Sequence, residues 1–240
     1  MANIIKIQNH LAKRERIKEK KRNIETKEVR VYFLIVCEGE KTEPNYFKSF
    51  KTNVKSFVLT IDTMGAGSNT KDLVKRTIKA RDNSSQEYDS VWTVFDKDSF
   101  LPKNFNDAIQ LAESNNIKTG WTNEAFELWY LLHFQYRNSA MSRVDYRSAI
   151  EDVVNAKIAA QSKEKKSKKF DYKKNSEEMY SILEKNEKKK QAISYAEKLI
   201  ATHNCSNFAN HNPCTRIHLL VKELNGDSFE LYEKIKNRNQ

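Results

Sequence analysis

The stretch VCEGEKTEP, Val36 to Pro44, sets Glu38, Glu40 and Glu43 around a single glycine, directly after the apolar run VYFLI. A second acidic pair, Asp96 and Asp98 in VFDKDSF, ends another apolar run. Carboxylates held close together repel and raise one another's pKa, so such a cluster calls for a neutralising cation. Mg²⁺, or Mn²⁺ in its place, suits oxygen ligands and keeps water positions open for a phosphate oxygen and a nucleophile. Glu38, Glu40, Asp96 and Asp98 are the expected metal ligands. Gly39 allows a sharp turn and close backbone approach between the two glutamates. A plainer reading exists for each motif: Asp-x-Asp after a strand is often a helix-capping loop.

Convergence of these side chains depends on the elements that carry them. VRVYFLIVC (29–37) is continuous, β-branched and aromatic, the pattern of a strand covered on both faces of a parallel sheet. Thr42 or Glu43 followed by Pro44 marks a helix start. Further strands are expected at 56–62, 89–95 and 117–121. Helices should lie between them, one opened by Asn69 with Asp72, another over NDAIQLAES. This alternation predicts a doubly wound α/β sheet. The carboxyl ends of parallel strands share one edge, where ligands bind. Glu38 and Glu40 would meet Asp96 and Asp98 there.

NEAFELWYLLHF (123–134) is apolar nearly all round and predicts a buried helix on which Glu127 and His133 are the polar exceptions. A buried carboxylate needs a partner or a metal, and a histidine on an apolar face is usually a satisfied core residue. From residue 142 onward only helical patterns are read, the last capped by Asp227 with Glu230. His203, Cys205, His211 and Cys214 have the chemistry for zinc but lack the short paired spacing of structural sites. Cys37 reads as a packing residue. The loop GAGSN could cradle a phosphate or merely join two elements.

The chain has 43 Lys and Arg against 32 Asp and Glu, a net charge of +11, which favours an anionic partner such as nucleic acid. Seven of the ten residues from Lys13 to Arg22 are basic, in helix-favouring types. The stretch KEKKSKKFDYKK (163–174) mixes lysines with Phe170 and Tyr172, joining phosphate attraction to rings on which bases can stack. Lys41, Lys97, Lys165, Lys166, Lys168 and Lys169 are the candidate nucleic-acid contacts. A solvated surface explains the same lysines. No apolar run is long enough for a membrane span, and three irregularly spaced cysteines suit reduced thiols. A cytoplasmic protein without membrane contact is expected. A Walker-type phosphate loop is absent from the sequence, which excludes ATP hydrolysis by that route.

Strand–E-G-x-x-T followed by strand–D-x-D resembles the signature of Toprim domains, found in topoisomerases, primases and OLD-type nucleases. Four blocks in order, LIVCEGEKTEPNYF, VFDKDSF, NEAFELWYLLHF and NPCTRIHLLVKEL, are similar to the motifs of RloB-like (abortive-infection, AbiL-associated) proteins, over roughly residues 30 to 225. The resemblance implies a Toprim-like parallel sheet flanked by helices with a helical C-terminal extension, and a metal-dependent nuclease acting in anti-phage defence. It makes Glu38 the general base or a metal-bound proton acceptor, Asp96 and Asp98 the Mg²⁺ ligands, and Glu40 and Glu43 alternative or supporting carboxylates. It also draws Glu127 to the rim of the catalytic crevice, with His133 behind it. The chain departs from the family pattern at Glu124 and Cys214, neither in the acidic cluster. The expected organisation is a basic arm (1–28), a Toprim-like core (29–135) and a helical region (136–240) carrying a lysine-rich insertion at 160–190. Expected partners are RNA, including tRNA, or DNA, a second defence protein such as an ATPase, and a second copy of the chain as a homodimer. The competing class is a nucleic-acid-binding or regulatory subunit without turnover.

Overall fold

A computed structural model describes residues 29–52, 57–65, 70–98, 100–161, 169–203 and 206–238. The basic arm, Asn69 and the GAGSN residues after Gly65, Lys165, Lys166, Lys168 and Cys205 lie outside them.

The elements alternate as expected through the first half: β1 (Val29–Cys37), α1 (Thr42–Lys48), β2 (Phe57–Gly65), α2 (Thr70–Asp82), β3 (Ser90–Asp96), α3 (Pro102–Ser114) and β4 (Lys118–Asn123). Then come α4 (Glu127–Leu132), α5 (Arg143–Gln161), α6 (Glu178–Asn186), α7 (Lys189–Ala201), β5 (Cys214–Thr215), α8 (Ile217–Leu224) and α9 (Phe229–Arg238). The protein is α/β, with a mostly parallel five-stranded sheet in the order β2-β1-β3-β4-β5 flanked by helices. Only the β4–β5 pair is antiparallel.

β1 shows why the sequence reads as a doubly covered strand. Val31, Phe33, Ile35 and Cys37 enter one core with Tyr46 and Phe47 of α1 and Leu128 and Trp129 of α4. Leu34 and Val36 enter the other, with Leu73 and Val74 of α2 and Phe105 and Ile109 of α3. The period-two alternation therefore buries both faces. β3 divides likewise, Trp92 and Val94 to the first core, Val91 and Phe95 to the second. Asp96 continues the parity of Trp92 and Val94, toward the layer of α1, α4 and α5.

Three expectations are corrected. β4 runs on to Asn123, so the helix anticipated from 123 begins at Glu127; residues 118–123 are themselves nearly all buried, and apolarity alone does not separate buried strand from buried helix. The region after 142 is not purely helical, because Cys214 and Thr215 pair with Asn123 and Thr122; a two-residue strand has no periodicity to read. At α9, Ser228 rather than Asp227 offers the capping oxygen, accepting from the Leu231 N–H at 3.4 Å.

The described end of the lysine stretch is not a helix face but an irregular strap, residues 169–175, closing in a turn at Lys174 and Asn175. Asn155 on α5 grips it through paired bonds with the Phe170 backbone, 2.8 and 3.0 Å. Thr42 Oγ1 donates to the Lys174 carbonyl at 2.7 Å. Tyr172 is 3 % exposed and Phe170 packs on the first core, so Tyr172 has no free face for stacking on a base, contrary to expectation.

Candidate active site

The connections leaving β1 and β3 run in opposite directions along the sheet, β1 to β2 and β3 to β4. Such a reversal opens a crevice at the carboxyl ends of the two strands. Cys37 pairs with Val94, and the Glu38 N–H extends that ladder to the Val94 carbonyl at 2.8 Å. The Asp96 N–H in turn donates to Glu38 Oε2 at 3.1 Å. Residues 38 and 96 thus sit on the same edge, joined by a hydrogen bond. Asp98 follows in a turn with φ of 36°, a left-handed conformation that Asp adopts more readily than most residues.

A cavity of about 480 Å³ opens over this edge. The loop after β1 and the start of α1 contribute Glu38, Glu40, Lys41 and Glu43; β3 contributes Asp96, α4 Glu127, α5 Arg143 and the strap Lys174. Gly39 allows a close approach: a Cβ there would overlap the buried Glu43 carboxylate, which would have to shift. Tyr172 on the strap donates its hydroxyl to Glu127 Oε1 at 3.0 Å.

Arg143 is the cation of the cluster, and sequence reading missed it. Its Nη1 donates to Asp98 Oδ2 at 2.6 Å and its Nη2 to Asp96 Oδ2 at 2.9 Å, so one planar fork spans both carboxylates. A capping box fixes it there. Ser142 Oγ donates to Asp145 Oδ2 at 2.7 Å and accepts from the Asp145 N–H at 3.4 Å, starting α5 so that Arg143 is its first residue. The S-x-x-D signal at 142–145 was available in the sequence; the target of the arginine was not. Lys174 and Tyr172 were likewise visible only as members of a lysine stretch.

The electrostatics follow from burial and crowding. Burial pushes Glu38 up to about 7, against the bond from the Asp96 N–H and with Glu43 adding repulsion. Asp96 lies well above the usual carboxylate range, first because it is buried and then because Glu43 and Glu127 face it; Arg143 opposes the shift. Glu43 is raised by burial and by Glu127. Burial also raises the Tyr172 hydroxyl, and Glu127 reinforces this. One guanidinium and two lysines stand among five carboxylates lining the cavity, with Asp98 beside them.

Among the described residues, no group of three or more His, Cys, Asp or Glu side chains is gathered as a ready metal cage. The donors that Arg143 spans are nevertheless hard oxygens on one strand edge, backed by Glu38 and bordered by exposed Glu40, and a guanidinium already takes a cation's place between Asp96 and Asp98. That donor set fits a hard divalent ion.

His133 is elsewhere. Its Nδ1 meets the Trp129 carbonyl at 2.9 Å, and its own carbonyl accepts from Asn186 at 2.7 Å, in the first core rather than at the cavity. Lys97 lies beside the site, its Nζ donating to the Asp98 carbonyl at 3.2 Å. Lys169 is exposed and lines a different, larger groove of about 1010 Å³ between α5, the strap and α6. Cys37 and Cys214 are buried, and the His203 and His211 rings stack at 4.6 Å. Among the described residues no helix is long and apolar enough to cross a membrane.

Searches of curated proteins and of solved structures each return no match. The family model described as RloB-like protein matches residues 33–224, a span that runs from within β1 to the end of α8 and includes every residue lining the acidic cavity. The chain belongs to the RloB-like family.

Proposed function

We propose that the chain is a Mg²⁺- or Mn²⁺-dependent nuclease of Toprim type that cuts a phosphodiester in RNA, tRNA included, or DNA, and that it serves anti-phage defence. The observation that carries this reading is the meeting of Glu38 and Asp96 at the carboxyl ends of adjacent parallel strands, with Glu127 lining the same cavity and Asp98 beside it, joined to Asp96 through Arg143. Asp96, Asp98 and Glu38 or Glu40 would hold the ion. When bound, such an ion activates water and stabilises the charge developing on phosphate and leaving oxygens.

The chain's own residues supply the rest. Glu38 stands on the strand edge, oriented by the Asp96 N–H, and takes the proton of the attacking water. Lys41 and Lys174, at the cavity wall, attract the phosphate backbone. Tyr172 fixes Glu127 so that its carboxylate stays at the rim. Membership of the RloB-like family supports the defence setting, in which a second defence protein such as an ATPase would govern the activity. Homodimerisation is part of the same proposal.

One observation favours a second reading. The fork of Arg143 pairs Asp96 and Asp98 as a structural ion pair would, which suits a nucleic-acid-binding or regulatory subunit without turnover. Purified protein, incubated with labelled tRNA, single strands and duplexes in Mg²⁺, Mn²⁺ or chelator, separates the two. Metal-dependent cleavage lost in Glu38→Gln and Asp96→Asn supports the nuclease. Binding that survives both changes, with no cleavage under any condition, supports the binding subunit.

A further inference from the structure

We infer that Arg143 and the divalent ion exchange places: the guanidinium holds Asp96 and Asp98 when no metal is bound, and on metal entry swings into the cavity to grip the phosphate of the substrate. This rests on the metal-dependent reading above and adds to it a residue and a competition that the sequence motifs do not contain.

The geometry points to exchange rather than to a permanent ion pair. Asp96 is the most deeply buried acid of the pair, its side chain 7 % exposed, whereas Arg143 and Asp98 are about one-third exposed. The guanidinium therefore approaches from the cavity side, the side from which an ion would enter. Its hold is incomplete, because Nε is buried with no hydrogen-bond partner while Nη1 and Nη2 carry the two carboxylates. A buried donor left unmet is costly, so the pairing leaves the guanidinium less than fully satisfied where it rests. Arginine's planar fork matches carboxylate and phosphate alike, so one side chain can serve both partners. The anchoring capping box at Ser142 and Asp145 keeps the backbone of Arg143 in place while the side chain turns.

Lys174 provides a control within the same cavity. It carries the same charge but makes no fork on the aspartates, so simple electrostatics and exchange give different results. Mn²⁺ affinity is measured by calorimetry on metal-free full-length protein, for wild type, Arg143→Gln, Arg143→Lys and Lys174→Gln. Two charge-assisted bonds are released in Arg143→Gln, so affinity should rise at least about tenfold. Lys174→Gln should raise it by less than about threefold, as a single cavity-wall charge in partly solvated surroundings. Arg143→Lys keeps the charge but cannot span both carboxylates, and should also bind Mn²⁺ more tightly than wild type, which protects the test if Arg143→Gln folds poorly.

A melting curve supplies an independent reading: Mn²⁺ should raise the Tm of the Arg143 variants more than that of wild type. Nucleic-acid affinity in saturating Mn²⁺ should fall in Arg143→Gln. If Arg143→Lys matches wild type and Arg143→Gln matches Lys174→Gln, the exchange is overturned while metal binding stands. If neither wild type nor any variant takes up Mn²⁺, the metal reading and the exchange fall together.

Discussion

Tyr172→Phe removes one oxygen and leaves ring packing intact, so it isolates the bond that ties the strap to the acidic site. Tyr172 and Glu127 are 3 % and 4 % exposed, and their bond is 3.0 Å long. A hydrogen bond to a charged group contributes about 1.5–3 kcal/mol, and a buried carboxylate deprived of its donor carries the desolvation cost. Tyr172→Phe should therefore lower unfolding stability at pH 7.5 by about 2 kcal/mol in urea denaturation, without a change in slope. The charge of Glu127 is responsible for about half of this. In a Glu127→Gln background the hydroxyl meets a neutral amide, and the same substitution should cost only about 1 kcal/mol. The cycle then yields a coupling of about 1 kcal/mol. Trypsin gives a second view, since Lys169, Lys173 and Lys174 flank Tyr172 on the strap and should be cut faster when the tie is gone. A loss below about 0.5 kcal/mol with unchanged trypsin cutting would refute the idea that Tyr172 anchors the strap to the site.

Three further outcomes follow from the geometry. Burial holds His133 down to about 4, from 6.5; its stabilising neutral form is complete above pH 6.5 and is lost as pH falls toward 4. His133→Asn keeps a donor for the Trp129 carbonyl but cannot titrate, so the stability advantage of wild type over this variant should shrink by about 2 kcal/mol between pH 7.5 and 5; a constant difference in urea melts across that range would contradict it. Gly39→Ala drives a methyl into the Glu43 carboxylate and should cost about 1–2 kcal/mol, read as a lower urea midpoint together with loss of any metal-dependent cleavage. Glu43→Gln should stabilise the protein by about 1 kcal/mol at pH 7.5, because a buried carboxylate facing Glu127 is removed. Since the pKa of Glu43 is raised in the fold from 4.5, wild type sheds that repulsion as pH falls, and the gain should fade as pH approaches 4.5.

The fold was legible where burial imposes a period. β1 alternates between two cores and β3 does the same, and both patterns can be read from types alone. The acidic edge was legible for the same reason, since strands of a parallel sheet must end together. Boundaries inside uniformly buried text were not, which is why residues 123–126 were assigned to helix rather than to the end of β4 and the turn after it. Arg143 and Tyr172 were missed because their partners are long-range: Arg143 meets Asp96 across 47 residues and Tyr172 meets Glu127 across 45. No local signal encodes such a pairing. His133 was drawn toward the site by its neighbours in sequence, yet the helical turn that aims Glu127 at the cavity aims His133 into the core.

The acidic edge conflicts with ordinary stability, and the conflict separates a site from a scaffold. A protein optimised only to fold would not crowd Glu38, Glu43, Asp96 and Glu127 at a strand edge, with three of the four pushed upward in pKa by burial and mutual repulsion. Buried ion pairs rarely recover the cost of desolvation, and a single guanidinium on Asp96 and Asp98 leaves Glu43 and Glu127 facing each other. Local rules are broken most often where a ligand, absent from the bare chain, restores the balance. On the proposed reading the net charge of +11 belongs to the same design: a basic exterior would concentrate a polyanion, and an acidic recess would give a divalent ion a place to meet it. If the recess were merely structural, replacing Glu43 and Asp96 with their amides should leave nucleic-acid handling unchanged while raising stability. If it is the working site, the same pair of changes should raise stability and abolish metal-dependent cleavage together.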